Sequence, residues 1–189
     1  MISVSEWIRS ALAIANSGPH LQGPLGVVHR DRSRRFVEAM GKIARDNAES
    51  DSERVLTKHY AENRQEFGLN ELLFDVLYCD TATTPAAEAG VMLRYITRGK
   101  WAVESEFSRD SREALFDFNK LILADTEAKL FVGSLTSNWK DFLRPFAAAA
   151  RHVKGQLFLA LIPHPSEWKS KENQDLKIFR WSDGDWREE

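Results

Sequence analysis

The chain holds a single cysteine, Cys79, among 189 residues. That excludes an intrachain disulfide and a cysteine-based zinc cage, and it fits a reducing compartment. Long hydrophobic runs are also missing: Gln156–Ile162 falls far below the roughly 18 apolar residues that span a bilayer. Neither sign of charge is in excess. Lys+Arg number 26 and Asp+Glu 28, a formal net charge of -2, so the molecule as a whole does not attract polyanions, and nucleic-acid contact would require a local basic patch. No repeat or low-complexity tract occurs, and no histidine pairs with another at metal-finger spacing. At the N-terminus Glu6 and Arg9 interrupt the apolar segment, so the signal-like Ala13-Ile-Ala15 reads as helix rather than export signal. The expectation is a cytoplasmic protein with no membrane partner.

What remains is an ordinary globular composition, 43% hydrophobic, 11% aromatic and 29% charged, long enough for one domain with a substantial core. We read residues 1–189 as that single domain: 1–70 mainly helical, 71–132 carrying the motifs, 133–189 contributing C-terminal strands and a helix. Ser3-x-x-Glu6 resembles a capping box, and Trp7, Ile8, Ala11, Leu12 and Ala15 recur at helical spacing as far as Gly18-Pro19. A second helix follows, opened by Arg30, Arg32, Arg34 and Arg35, a cluster able to hold phosphates or simply to solvate a helix start beside Asp31. Val55, Leu56, His59 and Tyr60 predict a third helix, with His59 a packing residue.

From Glu71 the pattern changes. Leu72–Tyr78 is rich in strand formers and apolar on both faces except at Asp75. Asp80 and the Thr/Pro/Ala stretch to Gly90 read as a loop, Val91 to Ile96 as a short strand or helical turn, and Arg98-Gly99 as a turn. The strand after it, Lys100-Trp-Ala-Val-Glu-Ser-Glu-Phe, carries Glu104 and Glu106 on one face and Val103, Ser105 and Phe107 on the other. Paired carboxylates that lose hydration need a cation nearby. Asp110-x-x-Glu113 then opens a largely apolar helix whose Asp117 and Lys120 share a face, so the lysine can point at that strand. Ala128–Val132 predicts a strand parallel to the preceding one. Phe142–Arg151 reads as helix, Gln156–Ile162 and Leu176–Trp181 as strands, and Trp186–Glu189 as a solvated acidic end.

Asp75, Glu104 and Glu106 are therefore acids that interrupt apolar strands, with Glu71 just before the first. Hard oxygen ligands of this kind suit Mg²⁺ or Mn²⁺. Strand rise limits the set. Glu71 would lie about 13 Å from Asp75 along a straight strand, so it joins only through a bend, with Glu62 and Glu66 as rivals; Glu104 and Glu106 are about 7 Å apart.

The element order and these residues together resemble the PD-(D/E)xK superfamily of restriction-endonuclease-like nucleases, whose core runs helix, three-stranded meander, helix, strand. The resemblance covers roughly Glu71 to Val132 and implies an α/β fold with a mixed central sheet flanked by helices, here with extra N-terminal helices. It casts Asp75 and Glu104 as metal ligands. Glu106 stands where the family usually has lysine and serves as ligand or general base; Lys120, in Asp117-Phe-Asn-Lys-Leu121, stands in for a lysine moved to the following helix. The implied activity is Mg²⁺- or Mn²⁺-dependent phosphodiester hydrolysis, with DNA the expected nucleic-acid partner. Its basic rim would draw on Arg30 to Arg35, Arg94, Arg98, Lys100 and Arg109. Homodimerisation is compatible with this reading, because cutting both strands often uses two sites. The alternative is a catalytically weak or inactive nucleic-acid- or protein-binding module on the same fold, since the strand lysine is replaced and fold does not fix function.

Overall fold

The computed structural model describes residues 3–17, 23–58, 60, 63–68, 72–168 and 175–189. Its strands are β1 (Glu53–Leu56), β2 (Val76–Pro85), β3 (Met92–Glu106), β4 (Thr126–Ser134), β5 (Gln156–Ile162), β6 (Lys177–Ser182) and β7 (Asp185–Glu188). Its helices are α1 (Val4–Ser17), α2 (Leu25–Asp46), α3 (Asn63–Phe67), α4 (Ser111–Leu123) and α5 (Trp139–Ala150). All seven strands form one sheet whose spatial order is the chain order. β1, β2 and β3 are antiparallel neighbours, β3, β4 and β5 run parallel, and β6 and β7 return antiparallel.

The two parallel pairings need crossovers, and α4 and α5 supply them. Both helices pack on one face, where Phe118 and Phe146 meet Phe131, Leu159 and Ala102. The opposite face is covered by α1 and α2, which bring Trp7 and Phe36 against Val103, Leu130, Val132 and Phe158. With both faces covered, β4 and β5 read as continuous apolar runs. Alternate residues serve opposite cores, Phe131 on the α4 side and Leu130 and Val132 on the other.

Local chemistry sets the helix starts. The Ser3 hydroxyl accepts the Glu6 amide at 3.2 Å, and the Asp110 carboxylate accepts the Arg112 amide at 2.8 Å. The last hairpin closes through Asp183 and Gly184, both at positive φ (53° and 82°), the conformation a tight two-residue connection requires.

Several expectations are corrected. Val55 and Leu56 belong to strand β1 and not to a third helix; four residues are too few to display a period. The expected loop after Asp80 is the second half of β2, running to Pro85, paired with a β3 that begins at Met92. Arg98-Gly99 is no turn: it lies inside β3, where the register slips between Tyr78 and Cys79 and again between Asp80 and Thr81, leaving bulges at Lys100 and Thr97. Trp186 to Glu189 are largely solvent-facing as expected, and Trp186 to Glu188 in addition pair as an edge strand. Asp75 sits just before β2, not in the middle of a strand. Glu71, Glu62 and His59 lie outside the described residues, as does the side chain of Glu66.

Gly99 has a packing reason. It pairs with Thr126 across the parallel ladder, and a Cβ there would stand 2.5 Å from Thr126 Cγ2 and 2.9 Å from the Asp125 carbonyl oxygen. Gly99→Val should therefore destabilise the protein by about 1–3 kcal/mol, the range for overpacking a closed site. The check is urea unfolding, with a lower midpoint and an unchanged m-value.

Candidate active site

At the C-terminal end of β3 the strand alternates its side chains between the two layers: Glu104 and Glu106 point toward α4, Ser105 and Phe107 toward α2. The ladder with β4 continues past this point, pairing Glu104 with Phe131, and Glu104 is only 2% exposed. One of its carboxylate oxygens, Oε2, accepts Lys120 Nζ at 3.1 Å. The other, Oε1, is buried with no hydrogen-bond partner. Burial first, and the nearby Asp75 carboxylate second, push the Glu104 carboxyl up to about 8 against the pull of Lys120.

Asp75 approaches from the loop ahead of β2. Its Oδ2 accepts two hydrogen bonds from Ser105, the backbone amide at 2.9 Å and the hydroxyl at 2.6 Å. This answers the need of that buried acid for a partner, and the partner is the residue between the two strand glutamates. Desolvation raises Asp75, with the Ser105 bonds and the Lys120 charge opposing. Two residues upstream, Leu73 holds a left-handed backbone with φ 64° and exposes 76% of its surface, so the chain bends sharply into Asp75.

Lys120 bridges the cluster. Besides Glu104 it binds Asp117 at 2.8 Å, one turn back on α4. Burial alone would lower the lysine, but these two acids overcome that and raise it, so it stays a cation at any working pH. Glu106 does not join Lys120: it accepts the Ser108 amide at 2.6 Å and shares a hydrogen bond with Asp117. Its carboxyl is raised, first by burial and further by that acid.

The α2 side of the same corner is open. A cavity of about 610 Å³ runs there, lined among others by Arg30, Arg34, Lys58, Asp75, Ser105 and Glu106. Asp31 is buried and ties down Arg34 and Arg35 at 2.8 and 2.9 Å, which fixes the direction of this basic wall. The rest of the expected rim is elsewhere. Arg98 and Lys100 pair with Asp80, Glu127 and Glu53 at the far end of the strand, and Arg109 pairs with Glu167. Arg94 donates to the Thr81 hydroxyl.

The structure thus brings together Asp75, Glu104, Glu106 and Lys120. Ser105 and Asp117, which sequence reasoning did not single out as functional, complete the hydrogen bonding; the only signal for them was position, one between two acids and one a turn before the lysine. Among the described residues no group of three or more His, Cys, Asp or Glu is arranged to hold a metal ion. Asp75 and Glu104 with an orphaned oxygen still fit Mg²⁺, which takes one or two carboxylates and completes its shell with water and phosphate. No helix among the described residues is long and apolar enough to cross a membrane. The chain matches no family model, no curated protein and no solved structure.

The raised carboxyls make stability depend on pH in a stated direction. Between about pH 4.5 and about pH 8 an unfolded chain has released the Glu104 proton while the folded one keeps it, so stability falls as pH rises through that window. Glu104→Gln should flatten this slope. In chelator at pH 8 its melting temperature should exceed that of the parent by a few degrees, read by calorimetry across pH 5–9. A lower melting temperature at pH 8 would show that Glu104 is comfortably ionised there.

Proposed function

We propose that the protein is a metal-dependent nuclease that hydrolyses phosphodiester bonds, with DNA the favoured substrate, on a restriction-endonuclease-like fold. The observation that carries this reading is Glu104: a carboxylate almost wholly removed from water, one oxygen on Lys120 and the other unpaired, with the half-buried Asp75 beside it. Such an arrangement is unfavourable unless something positive is delivered to it. The order helix α2, strands β1 to β3 with the short α3 inserted between β1 and β2, helix α4, strand β4 supports the reading, because apart from that insertion it is the core order of the PD-(D/E)xK superfamily.

Asp75 and Glu104 would hold Mg²⁺ or Mn²⁺. Bound there, the ion would lower the pKa of a coordinated water and neutralise charge on the scissile phosphate. The chain's own residues do the rest. Ser105 orients the Asp75 carboxylate through two hydrogen bonds, leaving Oδ1 for other partners. Lys120 stays protonated and acts as a positive anchor for a phosphate oxygen rather than as a base. Glu106, whose carboxyl is raised toward neutrality, is the group this reading assigns to take a proton from water when ionised. Arg30 and Arg34 line the cavity on the other side, where they would position the phosphate backbone.

A binding module on the same fold is the second reading. It is favoured by one observation, that Glu106, in the place of the family's lysine, accepts the Ser108 amide and makes no bond to Lys120.

Cleavage of supercoiled plasmid and of single-stranded DNA with Mg²⁺ or Mn²⁺ separates the two. The native protein should cut, and Glu104→Ala should lose at least about 100-fold. Absence of cleavage by the native protein, with no divalent-ion shift of its melting temperature, sinks the nuclease reading. Arg30→Ala should instead weaken DNA binding equally for all sequences and reduce the log–log salt slope by about 1, measured by anisotropy in Ca²⁺.

A further inference from the structure

Among the described residues the three large apolar side chains most open to solvent are Leu123 at 85%, Phe116 at 77% and Leu73 at 76%. All three flank the acid cluster. Leu73 stands two residues before Asp75, while Phe116 and Leu123 stand four residues before Lys120 and three after it on α4. Those spacings set Phe116, Lys120 and Leu123 in one row along the helix, with neighbouring Cβ atoms about 5–6 Å apart. The buried face of α4 is Ala114, Phe118 and Leu121, so the row lies off the core.

Packing does not account for this exposure. Leu73 adopts φ 64° while the Phe74 amide donates to the Leu72 carbonyl at 2.8 Å, a three-residue turn that strains any residue with a side chain. Such strain clusters at ligand sites, and exposed large apolar groups side by side mark binding surfaces.

Charge decides what the row meets. An apolar partner covering Phe116 and Leu123 would also desolvate Lys120, whose side chain is 43% exposed between them. A polyanion would not. The site offers one basic wall, with Arg30, Arg34 and Lys58 along the cavity, and Lys120 across the acids. Other cations expected around a duplex are committed elsewhere: Arg98 and Lys100 to acids at the far end of β3, and Arg109 to Glu167. A duplex presents two phosphate chains, and this site can track one. A basic groove for one backbone beside an exposed aromatic ring is the equipment of a protein that holds a single strand, its phosphates in the groove and its bases on the ring.

We propose that the site engages single-stranded DNA and that Phe116 is the platform on which one of its bases stacks, beside a phosphate held at Lys120. The strand passes over the C-terminal end of β3, between α2 and α4, where ligands of open parallel sheets lie. With about 3.4 Å of strand per nucleotide, the distance from Lys120 to Phe116 spans one to two nucleotides, so the stacked base belongs to a neighbour of the bound phosphate. The proposal rests on the nuclease reading for the position of that phosphate.

Fluorescence anisotropy in Ca²⁺ tests it, with a labelled oligonucleotide and its duplex of equal length. The single strand should bind more tightly than the duplex at the same salt. Phe116→Ala should weaken single-strand binding between about 5- and 150-fold, the worth of one stacked base, and leave duplex binding unchanged. Its circular dichroism and melting temperature should match the parent's, because the ring is exposed. Phe116→Trp should restore the affinity. An oligonucleotide carrying 2-aminopurine should lose fluorescence on the parent and keep it on Phe116→Ala. Met92→Ala is the control: Met92 is 56% exposed but lies twelve residues along β3 from Glu104, about 40 Å of strand, and its loss should change nothing. A duplex bound as tightly as the single strand, or a Phe116→Ala variant that binds as well as the parent, overturns the proposal even where plasmid cleavage upholds the nuclease reading. A native protein that cuts nothing yet needs Phe116 to hold the single strand sinks that reading and supports the stacking platform.

Discussion

A strand of fifteen residues cannot be covered along its whole length by neighbours of ten and nine. That mismatch organises the molecule. Where β3 lies between β2 and β4 it is covered on both faces, by α1 and α2 on one side and by α4 and α5 on the other, and the side chains it carries there are forced out of water. Where it overshoots, its backbone and its apolar side chains stay exposed. The same element therefore holds the most desolvated acid of the candidate site at one end and the least protected sheet edge at the other.

Burial of Glu104 is the energetic consequence at the first end. A carboxylate taken out of water either keeps its proton or finds a cation, and Lys120 provides only part of the compensation because it is shared with Asp117. The other end is handled differently. Glu53 is also buried, and burial alone would raise it, yet Lys100, the Tyr78 hydroxyl and the Glu49 amide hold it down to about 2. One buried glutamate is fully satisfied and locks β1, β2 and β3 together; the other is left short. The contrast separates an acid whose hydrogen bonding is complete from one with a buried oxygen left without a partner.

How far the chain could be read in advance follows the same physics. Gln156–Ile162 and Ala128–Val132 were legible as strands because both faces are buried, and the parallel pairing followed from the short helix between. Helical spacing made legible that Asp117 and Lys120 share a face; that Lys120 bonds both Asp117 and Glu104 is a tertiary outcome that spacing left open. β1 was not, since four residues cannot distinguish a strand from a helical turn. The outer half of β2 was not, because Thr83, Thr84 and Pro85 face solvent on both sides and show no alternation. Asp75 was expected inside a strand; its place in a bend with Ser105 depends on the left-handed Leu73, a conformation that leucine does not announce. The side-chain pairing of Glu106 with Asp117 is a tertiary choice that two acids in sequence cannot reveal.

The chain-ordered sheet has a kinetic meaning. Every ladder joins strands that follow one another along the chain, so each pairing closes a loop no longer than one hairpin or one crossover. Relative contact order is thereby low for a sheet of seven strands. Assembly can proceed from the N-terminal end during synthesis, each strand docking on the one before it. Asp75, Glu104 and Lys120 lie in the stretch from β2 to α4, so their cluster takes shape once β4 has fastened α4 to the sheet, before β5 to β7 are required. The C-terminal strands β5 to β7 extend the sheet beyond β4.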